Sequence, residues 1–202
     1  MKEENEADRF EEPIETYGHY TYADYLTWKF ESMAEIIRGK VYRMTAAPGR
    51  LHQKLAAHLT TEFYQFLKGH PCQVYPAPFD VRLTLGAEKN EDIYTVVQPD
   101  LSVICDVKKL DDAGCIGPPD LIVEILSPGN NRKDVYLKYN IYEESGVKEY
   151  WVIHPHEQTL IINSLVEGRY LPSRLLTSGD IVESKILPGF TLDLSLLFED
   201  LV

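Results

Sequence analysis

A short aliphatic run that contains one glutamate limits the fold of this chain more than any other feature. The run is "PDLIVEILSPGN", residues 119–130. Alternate side chains of a strand share a face, so Glu124 points the same way as Ile122 and Leu126. A buried carboxylate without a partner is costly, and Glu124 therefore needs a cation, a metal ion or hydrogen-bond donors nearby. The sequence thus predicts a buried strand that carries a polar site.

Length and composition favour one domain. The chain has 202 residues, of which 44% are hydrophobic, enough for one sizeable core and short for two. Residues 1–20 are predicted to form an acidic, partly flexible segment, because residues 1–12 hold six acids and two bases, and residues 21–202 a single domain. No apolar run of about eighteen residues could span a bilayer, so we expect a cytoplasmic protein without membrane contact.

Net charge and cysteine count exclude some functions. The formal charge of −12 argues against a protein that coats nucleic acid nonspecifically, although a local basic patch is compatible with it. Cys72, Cys105 and Cys115 are an odd number without a C-x-x-C pair, which predicts neither a disulfide framework nor a zinc site. We therefore expect three reduced cysteines.

Apolar spacing predicts two long helices and a series of strands. Residues 49–69 form the first helix, because Leu55, Leu59 and Phe63 recur at helical intervals, and residues 132–146 form the second. This order predicts an α/β (α+β) fold with a mixed central β-sheet flanked by helices. The predicted strands are 73–85, 96–105, 120–126, 149–155 and 159–165.

Two Pro-Asp pairs compete to supply the partner of Glu124. Asp120 lies four residues away on the same strand, ~13 Å distant, which is too far to share an ion. Asp100 lies on the preceding predicted strand. If the two strands are adjacent, facing residues come within ~5 Å, and Asp100 and Glu124 could hold one divalent cation. The residues alone leave a second interpretation open, in which Glu124 pairs with Arg or Lys and Asp100 only begins a strand.

Three stretches of the chain resemble the Uma-two family of restriction endonucleases, within the PD-(D/E)XK nuclease superfamily. They are "QPDLSVIC", "DLIVEILSPGN" and "RKDVYLKYNIYEESGVKEYWVIHP". The resemblance extends from "AEIIRGKVYRM" to "ILPGF". It implies a restriction-endonuclease-like core, with a four-stranded mixed sheet flanked by helices and the site on the second and third core strands.

The resemblance also implies a metal site and its ligands. Asp100 and Glu124 would be the paired acids, which with the backbone carbonyl of Ile125 would hold Mg²⁺ or Mn²⁺. The chain departs from the superfamily pattern two residues after Glu124, where Leu126 replaces the expected lysine. The resemblance implies that Lys138, on the next helix, supplies this charge.

Other interpretations of the lysine and the histidine stay open. Without the family, Lys138 would be an exposed ion pair with Asp134 four residues earlier on the helix. Lys133 is a rival for the same role. His52 matches a histidine of the family that would support the metal or the scissile phosphate, whereas on its own it would be a surface or capping residue.

Two further acids and a group of basic residues complete the predicted site. Glu35 and Asp80 stand at family-like places and would supply a second metal position or pair with Arg82 or a lysine. Basic residues are expected on a rim around the carboxylates, and Arg50, Arg132 and Lys133 would bind substrate. The predicted rim residues are Arg43, Arg50, Lys54, Arg132 and Lys133.

These observations predict a Mg²⁺-dependent or Mn²⁺-dependent endonuclease that hydrolyses phosphodiester bonds in DNA and acts as a homodimer. Two alternatives remain. A catalytically silent nuclease-fold protein that binds protein or nucleic acid is favoured by Leu126 and the net acidity. A dimeric structural protein would use the acidic pair for hydrogen bonds alone.

Overall fold

The computed structural model describes most of the chain downstream of the acidic segment. The segment predicted over residues 1–20 lies outside the described residues apart from Tyr20, so that prediction and the single domain over 21–202 stay predictions. In the described part, no helix is both long enough and apolar enough to cross a membrane. The described residues are 20–28, 34–43, 48–84, 86, 89–127, 132–199 and 201, without the side chains of 43 and 132–134.

The described residues form four α-helices and fifteen short strands. The helices are α1 (Tyr22–Tyr25), α2 (Arg50–Phe66), α3 (Arg132–Ser145) and α4 (Leu194–Leu197). The strands are β1 (Ala34–Ile37), β2 (Lys40–Arg43), β3 (Gln73–Pro76), β4 (Asp80–Arg82), β5 (Val96–Val97), β6 (Leu101–Ile104), β7 (Leu110–Asp111), β8 (Gly114–Ile116), β9 (Leu121–Ile125), β10 (Glu149–His154), β11 (Thr159–Val166), β12 (Arg169–Pro172), β13 (Leu176–Thr177), β14 (Ile181–Glu183) and β15 (Thr191–Asp193).

The strands form two larger sheets and a hairpin. The core sheet has the order β12-β11-β10-β9-β6-β3, and β13 also pairs with β11. The side sheet has the order β2-β1-β5-β4-β8-β7, and β14 pairs with β15. In the core sheet β9 runs parallel to β10 and antiparallel to β6, which is antiparallel to β3. The predicted α+β class, with a mixed sheet and flanking helices, is confirmed.

The structure divides two of the predicted strands. Residues 73–85 contain β3 and β4, and residues 96–105 contain β5 and β6, with the members of each pair in different sheets. Pro78 and Pro99 stand at the two breaks, and a proline has no N–H to continue a ladder. Residues 106–119, which lie between two of the predicted strands, contain β7 and β8. The side sheet was therefore not visible as one unit in the sequence.

Two apolar cores lie on opposite faces of the core sheet. Leu121, Val123 and Ile125 of β9 belong to the first core, together with apolar residues of α2 and α4. Ile122 of the same strand belongs to the second core, together with residues of α3, and Leu126 packs at its margin. This alternation is the one that the aliphatic run predicts, and it leaves Glu124 on the face that α3 covers.

The prediction of three reduced cysteines is wrong for two of them. Cys72 and Cys105 form a disulfide, and Cys115 is free and buried. The register of β3 on β6 pairs Gln73 with Ile104, so continuing it by one residue sets the two cysteines opposite each other. Cysteines 33 positions apart in the sequence give no sign of this pairing until the register is known.

The outer edge of the core sheet at β12 is protected from pairing. The Tyr170 N–H donates to the Glu143 carboxylate at 2.6 Å, and Pro172 has no N–H. Both features keep an edge strand from adding another strand. The homodimer expected from the sequence stays a prediction, and this edge is not suited to form it.

The aromatic part of the first core should contribute strongly to stability. Phe63 of α2 is fully buried and stacks on Phe190, with ring centroids 4.6 Å apart. We predict that Phe63→Ala lowers the free energy of unfolding by about 3–5 kcal/mol. Tyr64→Ala is the matched control, because Tyr64 is the next residue and is 61% exposed; it should change stability by less than about 0.5 kcal/mol. Equal losses in urea unfolding would contradict the assignment.

Candidate active site

Asp100 and Glu124 face each other at the junction of β6 and β9. The register pairs Leu101 with Val123, and continuing it by one residue sets Asp100 opposite Glu124. The Ile125 N–H donates to Asp100 Oδ2 at 2.6 Å, which ties the two strands at this point. The structure thus brings the two acids together on the second and third strands of the β3-β6-β9-β10 part of the core sheet.

Asp120 lies at the opposite end of β9 and has other partners. Its carboxylate accepts hydrogen bonds from the Cys105 N–H at 2.7 Å and from Lys148 Nζ at 2.6 Å. Both contacts secure the start of the strand. The structure does not bring Asp120 to Glu124, and the Pro-Asp pair nearer in sequence is the one farther from the site.

Lys138 is buried between two carboxylates. Its Nζ donates to Glu124 Oε1 at 2.9 Å and to Glu35 Oε1 at 3.0 Å. The side chain is only 10% exposed, so the alternative of an exposed lysine that pairs with Asp134 is wrong. An ammonium therefore reaches Glu124 from α3 and not from position 126.

The pattern of α3 explains why Lys138 points inward. Lys138, Ile141 and Tyr142 are all buried, and their spacing of three and four residues puts them on one helix face. Tyr136, on another face, is 68% exposed. The Tyr142 hydroxyl donates to Glu124 Oε1 at 2.7 Å. The sequence does not predict this contact, because a tyrosine beside apolar residues is typical of ordinary core packing.

His52 approaches the site from the first turn of α2. Its Nε2 lies 3.0 Å from Asp100 Oδ1, and the ring is nearly buried. Its Nδ1 is buried and has no hydrogen-bond partner among the described residues. His52 is thus a partner of one acid of the pair, which is not the position of a surface or capping histidine.

Asp80 belongs to a separate polar cluster. Its carboxylate accepts hydrogen bonds from the Tyr22 hydroxyl, the Tyr25 hydroxyl and the side-chain amide of Gln98. Arg82 does not pair with it, since its guanidinium pairs with Asp111. These contacts anchor α1 on the side sheet.

Gln98 connects this cluster to the site. Its backbone N–H donates to Glu35 Oε1 at 2.8 Å, while its side chain binds Asp80. Gln98 was not among the predicted site residues, although its place directly before the Pro99-Asp100 pair was a signal for it.

The structure describes the side chains of two residues of the expected basic rim. Arg50, which opens α2 two residues before His52, is exposed, as is Lys54. Lys54 donates to the backbone carbonyl of Glu199 at 3.3 Å. The side chains of Arg43, Arg132 and Lys133 lie outside the described residues.

The Lys138 ammonium is shared between the carboxylates of Glu124 and Glu35, and this sharing affects the pKa of Glu124. Burial raises the pKa of Glu124 from 4.5 to about 7, and the charges of Asp100 and Glu35 add to this against the opposing effect of Lys138. Burial favours the neutral amine of Lys138, but the charges of Glu124 and Glu35 outweigh it and raise the pKa of Lys138. Lys138 is therefore an ammonium, and the site carries excess negative charge.

The pKa of His52 is also raised. Burial by itself lowers the pKa of His52, but its contact with Asp100 and the charges of Asp100 and Glu124 reverse the effect and raise it. A protonated ring beside Asp100 offsets part of the negative charge.

The acidic pair fits a hard divalent cation. Within the described ranges, no cluster of three or more His, Cys, Asp or Glu side chains is arranged to hold a metal ion. Mg²⁺, however, is commonly held by one or two carboxylates, with water and substrate phosphate as its other ligands. Asp100 and Glu124 supply that donor set, and their side chains stay 15% and 11% exposed.

The chain is similar to proteins of one family. The model of the Uma2 family, described as "Putative restriction endonuclease", matches residues 22–195. The crystal structure of "a putative nuclease belonging to DUF820" from Anabaena variabilis ATCC 29413 superposes with a TM-score of 0.72 and 19% identity, over 91% of this chain and 99% of that one. At that identity the likeness shows the fold.

A curated relative is similar over part of the chain. The uncharacterized protein slr1290 of Synechocystis sp. is 28% identical over 121 residues, which are 59% of this chain and 60% of that protein. The match thus spans less than two thirds of the length of this relative.

The raised pKa of Glu124 makes stability depend on pH. The folded chain binds this proton more tightly than the unfolded chain does, so stability is lost as pH rises from 4.5 through about 7. His52 acts in the same direction, and Lys138 stays charged throughout. We predict that the free energy of unfolding in chelator-treated buffer falls by about 1–3 kcal/mol between about pH 5 and pH 8.

The Glu124→Gln variant separates the contribution of Glu124 to this pH dependence from that of the other titrating groups. The amide oxygen still accepts from Lys138 and Tyr142 but does not titrate, so the loss of stability with pH should become smaller in the variant. Urea unfolding at several pH values measures both slopes. Equal slopes would show that Glu124 does not titrate in this range.

Proposed function

Because this chain belongs to the Uma2 family, we propose that it is a metal-dependent endonuclease that hydrolyses phosphodiester bonds in DNA. The observation that carries the proposal is the position of Asp100 opposite Glu124, with the buried ammonium of Lys138 on Glu124. Two facing carboxylates beside a fixed cation form a site suited to phosphate chemistry.

Asp100 and Glu124 have different hydrogen-bond partners, but both would act as metal ligands. Asp100 and Glu124 would hold Mg²⁺ or Mn²⁺, with the backbone carbonyl of Ile125 as a further ligand. When bound, the ion supplies an activated water and offsets charge on the phosphate. The Ile125 N–H keeps Asp100 directed at the neighbouring strand, and the Tyr142 hydroxyl and Lys138 hold one oxygen of Glu124.

Lys138 acts as a cation and not as a base. Its Nζ already donates to two carboxylates, and an amine that must first lose a proton to these partners is a poor acceptor. The ammonium instead stabilises the negative charge that develops on the phosphate. This is the electrostatic part of the role that a lysine at Leu126 would have had.

His52 supports the acidic pair. Its Nε2 is directed at Asp100 Oδ1, so the ring orients Asp100 and offsets its charge instead of binding the ion itself. Arg50 is exposed two residues away, where it would bind the DNA backbone together with Arg132 and Lys133.

Metal titration tests the ligand assignment. In calorimetry with Mn²⁺, Asp100→Asn and Glu124→Gln should each weaken binding at least about tenfold, because each removes a charged oxygen ligand. Asp120→Asn is the matched control, since Asp120 belongs to the other Pro-Asp pair and binds Lys148. It should bind Mn²⁺ within about twofold of the parent. Equal affinities for all four proteins would rule out the proposed ligands.

A cleavage assay tests the reaction and the role of Lys138. On supercoiled plasmid with Mg²⁺ or Mn²⁺, Lys138→Met should lower the rate by about 10²–10³-fold, because it removes the fixed cation but keeps the apolar stem. Lys148→Met is the control, since that lysine is 61% exposed and pairs with Asp120; its rate should match the parent. A parent that cleaves neither plasmid nor single-stranded DNA would favour the catalytically silent alternative.

A further inference from the structure

We propose that Glu35 is a positioning residue that holds the Lys138 ammonium at the site independently of Glu124. The proposal rests on the proposed function and deepens it, because it explains how Lys138 stays in place once Glu124 binds a metal ion. Glu35 was expected from the sequence either as a second metal position or as the partner of a lysine, and the contacts favour the second role.

The three residues come from three separate elements. Glu35 lies on β1 of the side sheet, Lys138 on α3, and Glu124 on β9 of the core sheet. Lys138 Nζ reaches Glu35 Oε1 and Glu124 Oε1 at 3.0 Å and 2.9 Å. The ammonium therefore has one carboxylate partner from each sheet.

Burial separates the tasks of the two glutamates. The side chain of Glu35 is 0% exposed, whereas those of Glu124 and Asp100 retain partial exposure. A metal ion that must meet both substrate and water can contact the two partly exposed acids. Glu35 lies deeper, and its contact in the site is the ammonium. Glu35 is thus placed to hold the lysine and not the ion.

Glu35 is itself held rigidly. Its Oε1 also accepts the backbone N–H of Gln98 at 2.8 Å. The Gln98 side chain is tied to Asp80 at 2.8 Å and to the Tyr25 hydroxyl at 3.1 Å. A charge-assisted acceptor fixed by the backbone is an effective anchor for a flexible lysine.

Metal binding makes this second anchor necessary. A divalent cation on Glu124 would compete with Lys138 for the carboxylate, so the ammonium would lose part of its attraction to β9. An ammonium has three donor protons, and Glu35 Oε2 is buried without a hydrogen-bond partner among the described residues. Glu35 can therefore accept a second bond from Lys138 when Glu124 turns to the cation.

Nuclear magnetic resonance of the lysine ammonium groups tests the anchor directly. A buried, hydrogen-bonded ammonium exchanges its protons slowly, and the Lys138 signal can be assigned by its loss in Lys138→Arg. We expect slow exchange in the parent, with and without saturating Mg²⁺, and in Glu124→Gln. In Glu35→Gln exchange should become at least about tenfold faster, because the charged acceptor that then remains is Glu124, which is partly exposed to water, whereas Glu35 is fully buried.

Glu149→Gln is the matched control for loss of a buried carboxylate. Glu149 is also buried and accepts hydrogen bonds from Trp151 Nε1, the Ser184 hydroxyl and the Lys185 N–H, away from Lys138. Slow exchange should persist in this variant. Slow exchange in a folded Glu35→Gln, or fast exchange in Glu124→Gln or after Mg²⁺ addition, would overturn the proposal. If Glu35→Gln fails to fold, the Glu124→Gln and Mg²⁺ results decide.

A kinetic measurement separates this proposal from the proposed function. In the cleavage assay Glu35→Gln should lower kcat at least about tenfold while KM for DNA and the Mn²⁺ affinity stay within about twofold. A general loss of structure would instead change all three. A parent without cleavage activity would contradict the proposed function, and the exchange measurements would still decide whether Glu35 holds Lys138.

Discussion

The candidate site depends on one buried ammonium that joins two sheets. Lys138 of α3 contacts Glu124 of the core sheet and Glu35 of the side sheet. Burying any one of these charges alone would be strongly unfavourable, so each is tolerated because the others are present. The contact with Lys138 explains how the aliphatic strand β9 can contain a buried glutamate. It also requires α3 and β1 to keep fixed positions relative to that strand.

The ammonium that contacts Glu124 comes from a helix and not from the strand that carries Glu124. Leu126 packs at the margin of the second core, so a lysine at this position would have apolar neighbours. The helix that covers the same face of the sheet brings Lys138 to Glu124 instead. The same helix also supplies the Tyr142 hydroxyl, one turn after Lys138, as a second donor to Glu124. A helix residue can thus meet two acids that lie on different sheets.

The pairing of Glu124 with Asp100 could be predicted from the sequence, because it depends on the regular spacing of side chains along a strand. Alternation along β9 places Glu124 on one face, and the rise per residue along a strand excludes Asp120 as its partner, which leaves Asp100. Other features depend on which strands pair and in what register, which spacing does not reveal. The Cys72–Cys105 disulfide and the separate side sheet belong to this group. The contact between Glu35 and Lys138 joins residues 103 positions apart, so local sequence could suggest the residues but not their pairing.

Diffraction from crystals soaked in Mn²⁺, with data recorded at the manganese absorption edge, tests the central claim most directly. We predict an anomalous peak in contact with the carboxylates of both Asp100 and Glu124, with Lys138 still hydrogen-bonded to Glu35. Crystals saturated with Mn²⁺ that show no peak at these two carboxylates would contradict it.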